Sequence, residues 1–168
     1  MYLKSDVLSS EDFSILQDTI MWGNTFPWYL SKYVTWGKTP PDSIKNPNEI
    51  SFYATHMFYD EGGIVSPFFK LLLPLINFIK PKSLIRIKGN FYPQTESLIE
   101  HGKHWDYDYE HQAAIFSLNT CDGFTRLDGG QKIGSVENRM LFLDATKLHN
   151  STTCTNEKGR FNINFNYF

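Results

Sequence analysis

Apolar and polar positions alternate with two different periods along this chain, and the change falls near its middle. Ser9-Ser10-Glu11-Asp12 has the form of a helix-capping box, and Phe13, Leu16 and Ile20 recur behind it at helical spacing. This predicts a helix over residues 11–21 that Gly23-Asn24 ends. The aromatic-rich stretch 28–34 and residues 50–59 read as strands, separated by a rigid loop running from Thr39-Pro40-Pro41 to Asn46-Pro47-Asn48. Ser66-Pro67 supplies an N-cap and a first-turn proline for a mostly apolar helix over 68–79, interrupted by Pro74 and stopped before Pro81. A helix of that character is expected to be buried against a sheet.

From Ser83 onward the period becomes two. Short runs of Val, Ile, Phe and Tyr are separated by turn signals at Cys121-Asp122-Gly123, Asp128-Gly129-Gly130 and Asn156-Glu157-Lys158-Gly159. Five or six strands are expected in this half. The predicted class is mainly β with flanking α-helices, built around a jelly-roll or cupin-like core. Residues 1–168 read as a single domain in which 1–82 give helical and strand support and 83–168 form the core.

Two strands carry unusual polar faces. The last one sets Phe161, Ile163, Phe165 and Tyr167 on one side and Arg160, Asn162, Asn164 and Asn166 on the other. Alternation alone favours a solvated outer face for the second set. Asparagine is nonetheless depleted in strands, so a polar cavity is the better explanation if something needs those three amides. The strand at 84–92 aligns Arg86, Lys88, Asn90 and Tyr92 in the same way, and two such strands can line one pocket.

Composition narrows the picture. With 168 residues, 41% of them apolar and 16% aromatic, there is material for one core and too little for two. A charged fraction of 20% and a net charge of -2 exclude a disordered chain and disfavour nucleic acid as a partner. The apolar run 71–76 is far short of the roughly 20 residues that span a bilayer, and the first residues show no signal-peptide apolar region. Cys121 and Cys154 match no Cys-x-x-Cys spacing. The expectation is a soluble protein without a membrane partner, in the reducing cytoplasm.

The chemistry centres on His104-Trp105-Asp106. On an extended chain an imidazole and a carboxylate at i and i+2 share a face with Cα atoms about 6.7 Å apart, so both reach one ion. By itself the tripeptide is a weak signal. His149 lies beyond several predicted strands, where a third ligand from another strand of a barrel is needed. Two histidines and a carboxylate leave open coordination positions, as in non-haem Fe(II) oxygenases. Arg160 follows across the 156–159 turn, where a hairpin brings its guanidinium near the metal, suited to bidentate capture of a carboxylate.

With these residues the sequence resembles the Fe(II)- and 2-oxoglutarate-dependent oxygenases, and among them the small prolyl-4-hydroxylase-like members, including those encoded by bacteriophages. The resemblance covers residues 83–168. It implies a double-stranded β-helix core, His104, Asp106 and His149 as catalytic metal ligands, and Arg160 on the distal carboxylate of 2-oxoglutarate. Tyr92-Pro93 looks like the family's strand tyrosine at the cosubstrate pocket. Asn90-Phe91-Tyr92 and Arg160-Phe161-Asn162 are similar to cosubstrate contacts of the nucleobase-demethylating branch, which places Asn90 and Asn162 there too. Ile115-Phe116-Ser117-Leu118-Asn119 and Asn166-Tyr167-Phe168 match strands of the prolyl hydroxylase type.

The implied cofactors are Fe(II), 2-oxoglutarate as cosubstrate and O2, with ascorbate as an auxiliary reductant. The implied reaction hydroxylates a C–H bond of a peptidyl-proline, an amino acid or a small molecule, converting 2-oxoglutarate and O2 to succinate and CO2. A phage-encoded member would act in the host cytoplasm. Two departures stand out. Ser117 occupies the place of a tyrosine that holds the distal carboxylate in many prolyl hydroxylases, leaving water or Asn162 to substitute. Asn166 stands where the demethylating branch has a second arginine, which argues against alkylated-DNA repair.

Two other readings fit part of the pattern. A zinc hydrolase also uses two histidines and an aspartate but needs a general base and has no use for Arg160. A non-catalytic cupin-like binding module would treat the triad as packing or as a structural site. Among the remaining candidates, His101 is expected to point away from His104, and Asp108 is awkwardly spaced for the same ion. His56 and His111 read as core or surface histidines, Trp105 and Tyr107 as packing residues, and Cys154 as a neighbour of the site without a nucleophilic role.

Overall fold

The computed structural model describes residues 1–31, 34 and 52–168. The loop expected over 39–48 lies outside the described residues, as do positions 32, 33, 50 and 51 of the two early strands.

The first helix forms where the capping box placed it. The Ser9 hydroxyl accepts from the Asp12 N–H at 3.1 Å and opens α1 (Ser10–Gln17), which continues as a π-helical turn, Asp18–Trp22. The apolar segment after Ser66 divides at its proline: a 3-10 stretch, Pro67–Leu72, precedes α2 (Leu73–Ile79). Pro74 sits in the first turn of α2, where its missing N–H has no intrahelical partner to lose. Ser66 caps the 3-10 stretch by accepting from the Phe68 N–H at 3.1 Å.

Before the midpoint lie β1 (Tyr2–Lys4), β2 (Tyr29–Ser31), β3 (Tyr53–Asp60) and β4 (Gly63–Ile64). After it come β5 (Leu84–Pro93), β6 (Gln112–Ser117), β7 (Cys121–Leu127), β8 (Lys132–Ser135), β9 (Arg139–Asp144), β10 (His149–Ser151) and β11 (Gly159–Tyr167). The second half therefore holds more strands than the pattern suggested, because β10 has only three residues and carries no alternation to read.

One turn signal was misleading. Cys121-Asp122-Gly123 begins β7, and the chain reverses at 118–120 instead. Asp122 accepts from the Thr155 N–H at 2.8 Å, and a Cβ on residue 123 would lie 2.6 Å from the Thr153 carbonyl oxygen. Glycine is there for close approach to the chain after β10. Asp128-Gly129-Gly130 does form the β7–β8 turn, with φ of 84° and 91° at the two glycines.

All named pairings are antiparallel. Among the described residues the larger sheet runs β1-β9-β6-β11-β5-β3-β2, with β4 beside β3, and a smaller sheet runs β10-β7-β8. Residue parity decides what each face of the larger sheet meets. Phe116, Met140, Phe161, Ile163 and Phe165 turn to one side and share a core with Leu16, Ile20, Leu72 and Leu75 of the helical segments. Ile115, Leu141 and Leu143 turn to the other side and pack with Ile133 of β8. Helices thus cover one face and the smaller sheet faces the other, a two-sheet sandwich with its own helical support.

The start of β11 is tight. A Cβ at Gly159 would lie 2.2 Å from Cε2 of Phe91 and 2.8 Å from the Tyr92 carbonyl oxygen, while the Phe91 ring stacks on Phe161 at 4.5 Å. Gly159→Ala is expected to cost about 1–3 kcal/mol of stability through this overpacking. A urea denaturation curve checks it, and an unchanged midpoint would mean that the two strands separate there without cost.

Candidate metal centre

The polar faces of β5 and β11 meet rung by rung. Arg160 lies opposite Tyr92, Asn162 opposite Asn90, Asn164 opposite Lys88, and Asn166 opposite Arg86. The solvated outer face that alternation alone favoured for β11 is not what forms. Arg160 is 2% exposed, Asn162 3% and Asn166 0%, because the smaller sheet covers this side. Between the sheets is a cleft of about 430 Å³, part of it open to solvent, lined by residues that include Lys88, Asn90, Tyr92 and Asn162 together with the sequence-predicted triad.

His104, Asp106 and His149 converge at one point of that cleft, with one candidate ligand atom from each within 4.8 Å of the others. The backbone brings them together. His104 N–H donates to the His149 carbonyl and His149 N–H to the His104 carbonyl, both at 2.9 Å, so an isolated bridge docks the loop after β5 onto β10. Each ring is then oriented by a carbonyl two residues back, His104 Nδ1 on Gly102 at 3.3 Å and His149 Nδ1 on Lys147 at 3.0 Å. Donation from Nδ1 leaves Nε2 as the lone pair for a metal, the second-shell arrangement usual for histidine ligands. Burial, and then the neighbouring His149, push the His104 imidazole down to about 4, so it is neutral and ready to ligate.

Asp106 is held by three donors. Arg86 Nη2 reaches Oδ1 at 3.2 Å, and the side-chain amides of Asn164 and Asn166 reach Oδ2 at 3.2 and 2.8 Å. Burial opposes ionisation, but His149, Arg86, Asn166 and His104 together hold the carboxyl below the usual carboxylate range. A carboxylate offers about four lone-pair sites, so one on Oδ1 stays available to an ion. Two imidazole lone pairs and one oriented carboxylate fit a divalent first-row metal with open positions.

Arg160 lies at the far end of the polar ladder from Asp106. Its Nη2 donates to the Thr125 hydroxyl at 2.8 Å, its Nη1 reaches the Thr152 carbonyl at 3.5 Å, and its Nε has no partner. The guanidinium sits 5.7 Å from the centroid of the Tyr92 ring. No carboxylate pairs with it among the described residues. A second, smaller cavity, lined by Ile115, Ser117, Thr125, Ile133 and Arg160, adjoins the cleft across Ile115 and Thr125. Asn162 does not take over from the missing tyrosine on Arg160. Its Oδ1 accepts from Asn90 Nδ2 at 2.9 Å, and Thr125 supplies the hydroxyl.

The other candidates fall outside the triad. His101 is buried with Nδ1 2.9 Å from the Ser151 hydroxyl, and His56 is a core residue bridging the Pro27 carbonyl and the Ser66 hydroxyl. His111 is buried and touches Asn166 at 3.2 Å, so it supports the amide that holds Asp106. Asp108 is exposed. Trp105 is a correction: it lies in the loop between β5 and β6 and is 47% exposed, so it is not a buried packing residue. Sequence reasoning missed Arg86, Asn164 and Asn166 as the partners of Asp106, and Thr125 as that of Arg160. The signal for the first three was the pair of polar strand faces already noted.

Buried histidines make the metal-free protein acid-sensitive. Burial, with Arg160 adding to it, pushes His101 down to about 4 from an ordinary value of 6.5. The unfolded chain therefore takes up this proton first, so the stability is complete above about pH 6.5 and erodes as the pH falls towards 4. Urea denaturation with a chelator present is expected to show a lower midpoint at pH 5 than at pH 7, with a smaller difference in His101→Gln. An equal difference in that variant would remove His101 from the account.

Two facing sheets that enclose a His-Asp-His group able to hold one metal ion define a double-stranded β-helix with a candidate metal cleft. No protein-family model matches the sequence, and no curated protein matches it. Solved structures do match in shape. A prolyl hydroxylase from Trichoplax adhaerens, solved with a peptide of the oxygen degradation domain of hypoxia inducible factor, superposes with a TM-score of 0.68 at 13% identity, covering 99% of this chain and 82% of that one. An oxidoreductase of the 2OG-Fe(II) oxygenase family from Burkholderia pseudomallei gives 0.66 at 10% identity, over 97% and 82%. A viral collagen prolyl hydroxylase from Paramecium bursaria Chlorella virus-1 gives 0.57 at 8% identity, over 99% and 94%. At such identities the likeness establishes the fold, which is the one these 2-oxoglutarate oxygenases share.

Proposed function

We propose that this protein is an Fe(II)- and 2-oxoglutarate-dependent oxygenase that hydroxylates a C–H bond. The observation that carries the proposal is Arg160, a guanidinium 2% exposed with no acidic partner among the described residues. A buried cation without a counter-charge is costly, and a site that keeps one is built for an anion. Fe(II) would be held by His104, Asp106 and His149, and would supply the oxidative decarboxylation of 2-oxoglutarate with O2 that yields succinate, CO2 and a hydroxylated product. Arg160 and Thr125 would bind the distal carboxylate, Tyr92 would cover it, and Asn90 and Asn162 would line the passage between. Arg86, Asn164 and Asn166 keep Asp106 ionised and oriented, and the facing sheets limit water in the cleft.

The zinc-hydrolase reading loses ground on one point. Asp106 is the sole carboxylate lining the cleft among the described residues, so no second carboxylate stands by to serve as the general base of a hydrolase. The substrate of this reading is a peptidyl-proline, as the names of prolyl hydroxylases with this fold suggest, or an amino acid or other small molecule, and ascorbate would serve as auxiliary reductant. A reducing cytoplasm suits the two free thiols, Cys121 and Cys154. Among the described residues no helix is long and apolar enough to cross a membrane.

Equilibrium dialysis of labelled 2-oxoglutarate against Mn(II)-loaded protein tests the reading without turnover. One equivalent is expected to bind, and 2-oxobutanoate, which lacks the distal carboxylate, is expected to compete poorly. Absence of binding, or equal competition by 2-oxobutanoate, would overturn it.

A further inference from the structure

A cation without an acidic partner among the described residues lines the cleft, at the end away from Arg160. Lys88 lies on β5 opposite Asn164, two rungs from the Tyr92–Arg160 pair, and lines the cleft beside His104 and Asp106. Its neighbour Arg86 is neutralised by Asp106 at 3.2 Å, but Lys88 is not. Among the described residues the ammonium reaches only the Tyr53 hydroxyl, at 3.5 Å, and stands 5.7 Å from the centroid of the same ring. No carboxylate lies within ion-pair distance of it among the described residues.

Burial, with Arg86 adding to it and Asp106 and Asp60 opposing, pushes Lys88 down to about 8, as expected of a desolvated ammonium. A cosubstrate held between the triad and Arg160 would lie towards the Tyr92 end of the ladder and would not pair with Lys88, two rungs away. Opposite it, Asn164 donates its amide to Asp106 and keeps a buried Oδ1 without a partner. This part of the wall is therefore polar, cationic and unsatisfied, a poor match for an apolar substrate.

We infer that the primary substrate carries an anionic group, a carboxylate or a phosphate, that pairs with Lys88 Nζ beside the metal. The inference rests on the oxygenase reading and deepens it, because Arg160 is assigned to the cosubstrate and Lys88 is left for the substrate. It favours a free acid or a phosphorylated small molecule over a prolyl residue inside a neutral peptide. Lys88 is a binding residue in this account, and the Asn164 Oδ1 beside it accepts a donor from the same molecule.

Two simple anions serve as probes, trifluoroacetate followed by 19F and inorganic phosphate by 31P relaxation, each added to Mn(II)-loaded protein with and without saturating 2-oxoglutarate. At least one is expected to relax faster than with Zn(II)-loaded protein, whether or not 2-oxoglutarate is present. Its affinity is expected to fall about ten- to hundredfold in Lys88→Gln and to persist in Lys88→Arg. Response to trifluoroacetate alone indicates a carboxylate substrate, and response to phosphate alone a phosphorylated one. The inference is overturned if neither probe responds, if Lys88→Gln responds like the unaltered protein, or if 2-oxoglutarate abolishes the effect. Failure of the oxygenase reading shows separately, as an absence of 2-oxoglutarate binding in the unaltered protein, and the comparison with Lys88→Gln can still be read in that case.

Discussion

Arg160→Met is expected to weaken 2-oxoglutarate binding by about thirty- to a thousandfold and, in the cosubstrate-free protein, to raise the resistance to urea. The first effect follows from removing one partner of a buried charge pair, which costs about 2–4 kcal/mol when the other charge stays behind. The second follows from the environment of the guanidinium, which is 2% exposed, has an unpartnered Nε and is met by a hydroxyl and a carbonyl instead of an anion. Replacing such a cation by an apolar side chain of similar length stabilises a folded core by about 1 kcal/mol or more. Calorimetry on metal-loaded protein and urea curves without ligand measure the two sides. Opposite signs are the signature of a binding residue. A variant that loses stability and keeps its affinity for 2-oxoglutarate would make Arg160 a packing residue.

Asp106→Ala is expected to abolish metal binding in practice, with more than about a hundredfold loss of affinity, and also to destabilise the metal-free protein. The carboxylate is the acceptor for Arg86, Asn164 and Asn166, all of them on β5 and β11, so its removal leaves Asn164 without its acceptor and Arg86 without its counter-charge, while Arg86 keeps the Asn166 Oδ1 and Asn166 keeps His111. Stripping a largely buried guanidinium of its carboxylate costs about 2–4 kcal/mol, reduced here because the Arg86 side chain is 18% exposed. His149→Ala should lose metal comparably and lose less stability, since the His149 ring makes one hydrogen bond, to the Lys147 carbonyl. Metal titration and urea curves with a chelator separate the two variants. Equal stability of Asp106→Ala and the unaltered protein would show that the network around the carboxylate carries no energy.

Residues that act through local spacing were legible in the sequence, and residues that act through register were only half legible. The capping box at Ser9, the Ser66-Pro67 start and the period-two second half all follow from the chain's own geometry. The triad is readable because His104 and Asp106 are close in sequence and because His149 lies beyond several strands, with the family resemblance adding to both. That β5 and β11 are neighbours, so that Arg86 and Asn166 meet at Asp106, is a fact of topology that no local pattern encodes. For the same reason alternation alone favours a wetted surface for the asparagine face of β11, and what buries it is the smaller sheet, whose placement the local pattern does not carry. The Asp122-Gly123 turn signal failed because the glycine answers a close approach from Thr153, a residue remote in sequence. Thr125 as the partner of Arg160 had no sequence signal, since one threonine on a β-strand is ordinary.

The most direct test of the account is anaerobic reconstitution with Fe(II) followed by addition of 2-oxoglutarate, watching for the visible metal-to-ligand charge-transfer band of a chelated 2-oxo acid. The expected result is a band in the unaltered protein that fades when O2 is admitted, is weakened in Arg160→Met and is absent in Asp106→Ala. Iron that binds to the triad without producing the band on addition of 2-oxoglutarate would contradict it.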